Sequence, residues 1–269
     1  MNPSYSFLVP LTSWAWAHHI GWRPLVLVTQ GVQKLVRHAA VWAGAEVLEV
    51  PHGGWPAKTL MQVARILSAA ALEHDDDVLT TSDADMLPLG AAYFNALNMS
   101  QADVHVQGFH EAALPYKQYP ICYVTMTAGT WRRVMNISRG QNLTTAMAAL
   151  LRNGMPWEYD QILLYNASQA PGVRVKLYDG FSSQRRHNLP SRDCAHDPGC
   201  VQGTFIDSHL PRPTFTKTMW PRLRTLLANM MDNATLEYFD KYRAAFVETI
   251  MRGDDVAQNM VDRRWGDYS

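Results

Sequence analysis

Two aspartates one residue apart, Asp83 and Asp85, follow an apolar run in the segment VLTTSDADMLPL. In an extended segment, residues i and i+2 point to the same side, so both carboxylates can converge on one ligand. Carboxylates that close together repel each other unless a cation or hydrogen-bond donors lie between them. Their oxygens suit Mg²⁺ or Mn²⁺, which complete their shells with water and substrate phosphates. The spacing therefore predicts a metal site, and a solvated acidic turn is the alternative.

The elements that precede the aspartate pair alternate between strand and helix patterns. Apolar residues at helical spacing predict helices over residues 32–44 and 56–73. Short apolar runs predict three strands, SYSFLVP (4–10), PLVLVTQ (24–30) and AEVLEVP (45–51). Strands separated by helices in this way indicate βαβ units and a mainly parallel sheet. Ligands on such sheets bind beyond the carboxyl ends of the strands, where the aspartates are found.

The rest of the chain continues this pattern and then becomes helical from about Thr216 onward. The fold class is therefore predicted as α/β, with a mainly parallel central sheet flanked by helices. Residues 1–212 would form one domain, and residues 213–269 a helical C-terminal extension packed on it. The later strands are predicted over 102–109, 119–129, 173–180 and 202–209, and the later helices over 131–138, 143–154 and 156–168.

Composition excludes some classes of protein. The chain has 269 residues, 47% of them hydrophobic, which is enough for one substantial core. Its 24 basic and 24 acidic residues balance, which argues against a nucleic-acid partner held by whole-surface attraction. No apolar stretch approaches the length of a membrane span, and the N-terminus lacks the pattern of a signal peptide. A soluble protein is expected, and the choice between the cytoplasm and a lumenal compartment stays open.

Cysteines and glycosylation sequons give only partial information about the compartment. Three cysteines do not make a disulfide framework. Cys122 is expected to be a buried thiol, whereas Cys194 and Cys200 form either a local disulfide or two separate thiols. Asn-x-Ser/Thr sequons are in excess, since this composition would give roughly one by chance. The sequons begin at Asn98, Asn136, Asn142, Asn166 and Asn233.

Four segments resemble parts of the glycosyltransferases with the GT-A fold, in the order expected for that family. VLTTSDADMLPL resembles the family's Asp-x-Asp segment, and AGTWRRV resembles its acceptor-side turn from strand to helix. WEYDQILLYN resembles the later acidic segment, and IDSHLPRP the late strand whose histidine completes the metal site. Together they cover roughly residues 5 to 212. The general pattern is similar to the small glycosyltransferases of large algal viruses.

The resemblance implies a GT-A-like (Rossmann-like) domain that transfers a sugar from a nucleotide-sugar donor to a hydroxyl of a glycan acceptor. The donor would be a UDP-sugar and the cofactor Mn²⁺ or Mg²⁺. Asp83, Asp85 and His209 would be the metal ligands, with Asp83 also contacting the ribose. A divalent metal suits this chemistry because departure of a nucleoside diphosphate leaves charge on phosphate oxygens.

The same resemblance implies roles for residues at the donor and acceptor. Asp160 would be the general base that activates the acceptor hydroxyl, and Glu158 competes for that role. Lys58 and Arg65 belong to the helix predicted over residues 56–73, which precedes the aspartate pair. They would face the diphosphate or be solvated. Trp157 would stack on a sugar or pack in the core. The donor base and ribose would lie along the predicted first strand, at Val9, Pro10, Leu11 and Thr12.

Two other functions are compatible with these patterns. A nucleotidyltransferase acting on sugar phosphates also builds on an α/β nucleotide fold, but usually carries a glycine-rich loop after the first strand. VPLTSWAW, at residues 9–16, has no glycine. A non-catalytic nucleotide- or carbohydrate-binding module is the other alternative. The presence of Asp83, Asp85, Asp160 and His209 argues against a loss of catalysis.

Overall fold

The computed structural model describes residues 3–51, 53–109, 117–151, 156, 158–179, 185–188 and 205–253. Within these ranges the protein combines helices with small sheets, so the predicted α/β class is confirmed. The described strands are β1 Leu25–Thr29, β2 Glu46–Val50, β3 Val78–Thr80, β4 Met86–Pro88, β5 Val104–Phe109, β6 Val124–Thr127, β7 Val175–Asp179, β8 Arg185–Asn188 and β9 Phe205–His209.

The helices lie between and after these strands. Ala15–Ile20 is a π-helical turn and Ser68–Ala71 a 3₁₀ turn. The described α-helices are α1 Pro3–Ser6, α2 Val9–Trp14, α3 Lys34–Trp42, α4 Ala57–Leu67, α5 Ala91–Asn95, α6 Ala128–Met135, α7 Leu143–Leu150, α8 Tyr159–Ser168, α9 Trp220–Leu227 and α10 Asn233–Gly253.

The described strands form three small sheets, one parallel and two of mixed direction, and they do not clearly show the single, mainly parallel sheet that the sequence predicts. β1 and β2 pair in parallel. A second sheet has the order β3-β6-β5-β7, in which only β5 and β7 are parallel. The third has the order β4-β9-β8, with β4 antiparallel to β9 and β8 parallel to it. The strand β4 was not anticipated, because only five residues, 81–85, separate its start at Met86 from the end of β3 at Thr80.

The predicted first strand is wrong, because residues 3–6 and 9–20 are helical and residues 7 and 8 form the turn between them. Phe7, Leu8, Leu11 and Ala15 are fully buried, and their spacing places them on one face of a helix. Pro10 lies in the first turn of α2, where its missing N–H leaves no hydrogen bond unmade. The apolar run at residues 4–10 is typical of a strand by itself, but the buried residues that follow it, Leu11 and Ala15, continue with the helical period.

The first helices share one hydrophobic core with the last ones. Phe7 stacks on Tyr242, with ring centroids 5.4 Å apart, and also packs against Phe215, Trp220 and Phe246. The same cluster contains Leu87 of β4 and Phe205 of β9. The helical segment after residue 212 is therefore packed on the same core as the N-terminus, and this core also supports the strands that carry the aspartates.

A second core surrounds helix α4. Its buried face, which includes Leu60, Val63 and Leu67, packs with residues of β5 and β6 and with helices α6, α7 and α8. This packing fixes the side of α4 that carries Arg65 against the start of α8. Among the described residues, no helix combines the length and apolar character needed to cross a bilayer.

Candidate functional site

The two aspartates lie in a tight turn between β3 and β4. The Met86 N–H donates to the carbonyl oxygen of Asp83 at 3.1 Å, which closes the turn. The expectation of an extended segment with both carboxylates on one side is therefore wrong at this point. Thr81 anchors the approach to the turn, because its hydroxyl donates to Ile121 O at 2.7 Å and its N–H to Val124 O at 3.0 Å.

The register of β4 against β9 brings Asp85 beside His209. Met86 lies opposite His209 in the antiparallel pair, and the Leu210 N–H donates to Asp85 O at 2.7 Å. As a result, His209 Nε2 lies 3.2 Å from Asp85 Oδ2, although the two residues are 124 positions apart. This supports the pairing of Asp85 with His209 that the sequence predicts, and the cause is the unanticipated strand β4.

A third group, Arg212, reaches the same carboxylate. Its Nε lies 3.1 Å from Asp85 Oδ2, and its guanidinium carbon lies 4.2 Å from the centre of the Tyr5 ring. Asp85 is only 4% exposed, so this buried carboxylate is held between an imidazole and a guanidinium. Charged hydrogen bonds of this kind compensate a carboxylate for the water it has lost.

Arg65 of α4 links the other two acidic residues of the site. Its guanidinium forms ion pairs with Asp83 and with Asp160, and its Nε–H donates to Asp160 Oδ2 at 2.8 Å. Burial lowers the pKa of the Arg65 guanidinium, but the charges of Asp83 and Asp160 outweigh this effect, so its pKa lies above the ordinary value. The arginine therefore stays charged and separates two carboxylates that would otherwise repel each other.

Asp160 is fully buried at the start of α8. Besides the Arg65 pair, its Oδ1 accepts the Gln161 N–H at 2.9 Å. Burial raises the pKa of the Asp160 carboxyl, and the Arg65 guanidinium opposes part of that rise. Both oxygens of the predicted base are thus engaged with protein groups. Glu158, two residues earlier, is half-buried.

The environment of His209 favours its charged form. The hydrogen bond with Asp85 raises the pKa of the imidazole, burial opposes this, and the charges of Asp85, Asp83 and Asp207 add to the rise. A metal ligand must be neutral, so a cation at this position would have to displace the proton.

Two of the three predicted metal ligands, Asp85 and His209, lie together, and the third lies apart. In the part of the chain that the structure describes, no three His, Cys, Asp or Glu side chains surround a common point, so Asp83 does not join Asp85 and His209. Asp83 is turned to Arg65 instead. A carboxylate and an imidazole 3.2 Å apart are nevertheless a donor pair that suits Mn²⁺, with water and phosphate oxygens completing the shell.

Lys58 lies in the first turn of α4, where the charges of Glu158 and Asp160 at the start of α8 act on it. Burial lowers the pKa of its ammonium, and the charges of Glu158 and Asp160 oppose that shift. Lys58 is therefore within electrostatic range of Glu158 and Asp160, and its predicted contact with a diphosphate stays a prediction. Its charge can attract an anionic substrate there.

The four residues predicted to hold the donor base are not part of this cluster. Val9, Pro10, Leu11 and Thr12 belong to the buried helix α2, and the Thr12 hydroxyl donates to Leu8 O and Val9 O within that helix. Their backbone groups are used by the helix and their side chains by the core, so this prediction is wrong.

Other expectations fall outside the described residues or were incomplete. Trp157, Cys194 and Cys200 lie outside the described residues, while Cys122 is buried, as predicted. Two contacts were missed, the link from Arg65 to both carboxylates and that from Arg212 to Asp85. Arg212 stands three residues after His209, so its position after the late strand was the available signal.

The site thus contains buried and partly buried carboxylates that are paired with basic side chains from segments far apart in the chain. No protein-family model matches the sequence, and no curated protein matches it. The function therefore has to be inferred from the residues and their geometry. Such a cluster can hold a divalent cation at Asp85 and His209 and attract a polyanion through Lys58, Arg65 and Arg212.

Proposed function

We propose that the protein is a metal-dependent glycosyltransferase that uses a nucleotide-sugar donor, a UDP-sugar, and a hydroxyl acceptor on a glycan. One observation carries the proposal: the four residues that the GT-A resemblance selects from distant segments lie in two neighbouring groups, Asp83 and Asp160 on Arg65, and Asp85 with His209. The two groups meet at the Asp83–Asp85 turn, and the charge of Asp83 acts on His209. The finer fold expectation, a GT-A-like arrangement of the strands, is part of the same proposal.

Asp85 and His209 would hold the metal, Mn²⁺ or Mg²⁺. When bound, it would neutralise the charge that develops on the diphosphate as the nucleotide leaves. Arg212, 3.1 Å from the Asp85 carboxylate, can then exchange that contact for a phosphate oxygen, because guanidinium groups bind both anions in the same geometry.

Arg65 would hold Asp83 and Asp160 in position. Asp83 is partly exposed and remains free to accept hydrogen bonds from donor hydroxyls on its outer oxygen, whereas Asp160 is fully buried. A fixed guanidinium between the two also provides positive charge where a donor phosphate or sugar oxygen would arrive. Preorganised charges of this kind stabilise a transition state without rearrangement.

The general base remains a choice between Asp160 and Glu158. A base must lie within hydrogen-bond reach of the acceptor hydroxyl. Asp160 can meet this condition only by exchanging Arg65 or the Gln161 N–H for the hydroxyl, since both of its oxygens are engaged. Burial raises the pKa of the Asp160 carboxyl, which makes its carboxylate a stronger base, and we keep Asp160 as the proposed base with Glu158 as its competitor.

Calorimetric titration of UDP with and without Mn²⁺ tests the donor site. We expect metal-dependent binding in the micromolar range, followed by slow hydrolysis of one UDP-sugar from a small panel. Asp85→Asn should abolish the metal dependence. Asp76→Asn is the matched control, because Asp76 is an exposed aspartate of the nearby HDDD turn. Absence of UDP and GDP binding under both conditions would overturn the proposal.

Transfer assays separate catalysis from binding. Asp160→Asn should keep donor binding and lose transfer, whereas Glu158→Gln should lower transfer only if Glu158 is the base. Binding of UDP by the wild type without turnover on any acceptor would favour a non-catalytic module. Binding of nucleoside triphosphates with release of pyrophosphate would favour a nucleotidyltransferase.

A further inference from the structure

The asparagines that begin sequons have a common setting in the folded protein. Five of the eleven asparagines in the chain begin an Asn-x-Ser/Thr sequon, where roughly one is expected by chance. All five side chains are exposed in the structure. Asparagine is commonly exposed, so exposure alone does not select these five. The excess of sequons is the selective observation, and exposure is the condition that a bulky glycan requires.

We propose that this protein is N-glycosylated, with Asn98 as the principal acceptor. The donor would be an oligosaccharide linked to a lipid through a diphosphate. The amide Nδ2 of asparagine forms a bond to the anomeric carbon and loses a proton, and the lipid diphosphate leaves with the bonding electrons. No oxidant or reductant takes part, and the modification is independent of the transferase activity proposed above.

The geometry around Asn98 suits this reaction. Asn98 lies in the loop between α5 and β5, and loops are where folded proteins carry such sequons. The Ser100 N–H and the Ser100 hydroxyl both donate to Asn98 Oδ1, at 3.0 and 2.8 Å. This is an Asx-turn, in which the sequon's hydroxyl and amide already lie side by side. Both bonds use the oxygen, so a glycan on Nδ2 leaves them in place.

The loop between α6 and α7 carries two further sequons. Asn136 ends α6 in the left-handed conformation, and its sequon partner Ser138 is exposed. Asn142 caps the start of α7, where its Oδ1 accepts the Thr145 N–H at 3.2 Å. A glycan on Nδ2 of Asn142 is compatible with that cap, because the cap again uses only the oxygen.

Asn166 has a different environment and provides the internal comparison. It lies within α8, and the hydroxyl of its sequon partner Ser168 is buried and donates to Tyr165 O at 2.7 Å. The helical backbone of α8 does not allow this sequon to adopt the turn seen at Asn98, so we expect Asn166 to be modified less than Asn98. Asn233, the first residue of α10, is exposed and is expected to be intermediate.

The test uses protein made in a eukaryotic host from its complete reading frame, with no foreign leader added. Intact mass is measured before and after peptide-N-glycosidase, which converts each modified asparagine to aspartate. Protein made in bacteria supplies the unmodified mass. We expect a glycosidase-sensitive mass and conversion to aspartate at Asn98 in most molecules, with lower conversion at Asn166.

Two variants assign the principal site. Ser100→Ala should remove one glycan, whereas Ser100→Thr, which keeps the sequon and its hydroxyl, should retain it. A protein whose mass is unchanged by the glycosidase would overturn the modification. Efficient conversion at Asn166 with none at Asn98 would overturn the assignment of the principal site from the folded geometry.

Discussion

Replacement of Arg65 by methionine tests the link at the centre of the site. The substitution keeps most of the side-chain volume and removes the charge that lies between Asp83 and Asp160. Asp160 has no exposed surface and the Arg65 side chain is 20% exposed, so the variant leaves a buried carboxylate without its guanidinium. Loss of one partner from a buried ion pair destabilises a protein by about 3–5 kcal/mol. Because Arg65 retains some exposure, we expect about 3 kcal/mol.

Urea unfolding at two pH values measures this effect. A loss of about 3 kcal/mol shifts the midpoint by about 1 M or more, given the usual dependence of the unfolding free energy on urea. Removal of Arg65 takes away the largest influence that opposes the burial-induced rise of the Asp160 pKa, and the Gln161 N–H bond remains. A group whose pKa is higher in the folded than in the unfolded state contributes stability that is fully present below the unfolded pKa. This contribution is lost as the pH rises through the folded pKa. The deficit of the variant should therefore be larger at pH 7.5 than at pH 5.

A second substitution and a control make the test specific. Arg65→Met combined with Asp160→Asn should recover a large part of the lost stability, because no buried charge then remains. Arg174→Met removes the arginine of an exposed pair with Asp103 and should lower stability by less than about 1 kcal/mol. Our reasoning is refuted if Arg65→Met is within about 0.5 kcal/mol of wild type, or if the double variant is no more stable than the single.

Four further predictions concern the rest of the fold and site. In metal-free buffer, His209→Asn should be less stable than the wild type below the ordinary histidine pKa, and its stability should approach that of the wild type as pH rises. The reason is that the raised pKa of His209 stabilises the fold only when the imidazole is protonated. Thermal melts across pH measure this. For the same reason, the Mn²⁺ affinity of the wild type should weaken on acidification, and a pH-independent affinity measured by calorimetry would contradict His209 as a ligand. Leu11→Ala should destabilise the protein by about 3 kcal/mol in urea while leaving UDP affinity unchanged, since Leu11 belongs to the core, and a selective loss of UDP binding would restore the donor role. Asn142→Ala should lose about 1 kcal/mol through its cap, whereas Thr144→Ala, which removes the sequon alone, should lose less.

Periodicity predicted most of the elements correctly. β1, α3, β2 and α4 were expected within a few residues of their observed bounds, because the two helices repeat apolar residues with the helical period and the two strands are short, bounded apolar runs. The opening helices were missed since Pro10 looked like the end of a strand, whereas it lies in the first turn of α2. A proline is compatible with both positions, and only the packing of Phe7 and Leu11 on the distant C-terminal helices decides between them.

The chemistry of the site was more predictable than its geometry. Residue types and order indicated Asp83, Asp85, Asp160 and His209, and the structure brings them together in two groups, Asp83 and Asp160 on Arg65, and Asp85 with His209. Their roles stay predictions. The link through Arg65 could not be predicted, because it depends on how α4 and α8 pack against each other. Sequence patterns describe each helix separately and contain no information on which side chains meet between helices.

The stacking of Phe7 on Tyr242 also bears on how the protein is made. The Tyr242 hydroxyl donates to the carbonyl oxygen of Phe7 at 3.3 Å, across 235 positions of sequence. On the ribosome, the apolar face of the first helices is synthesised long before the aromatic residues that cover it. Contacts of such long sequence separation close slowly, since the entropy of a long loop must be lost first. The nascent chain therefore exposes the face around Phe7 until almost the last residue of the core has emerged, and this is the interval in which a holding chaperone would bind it.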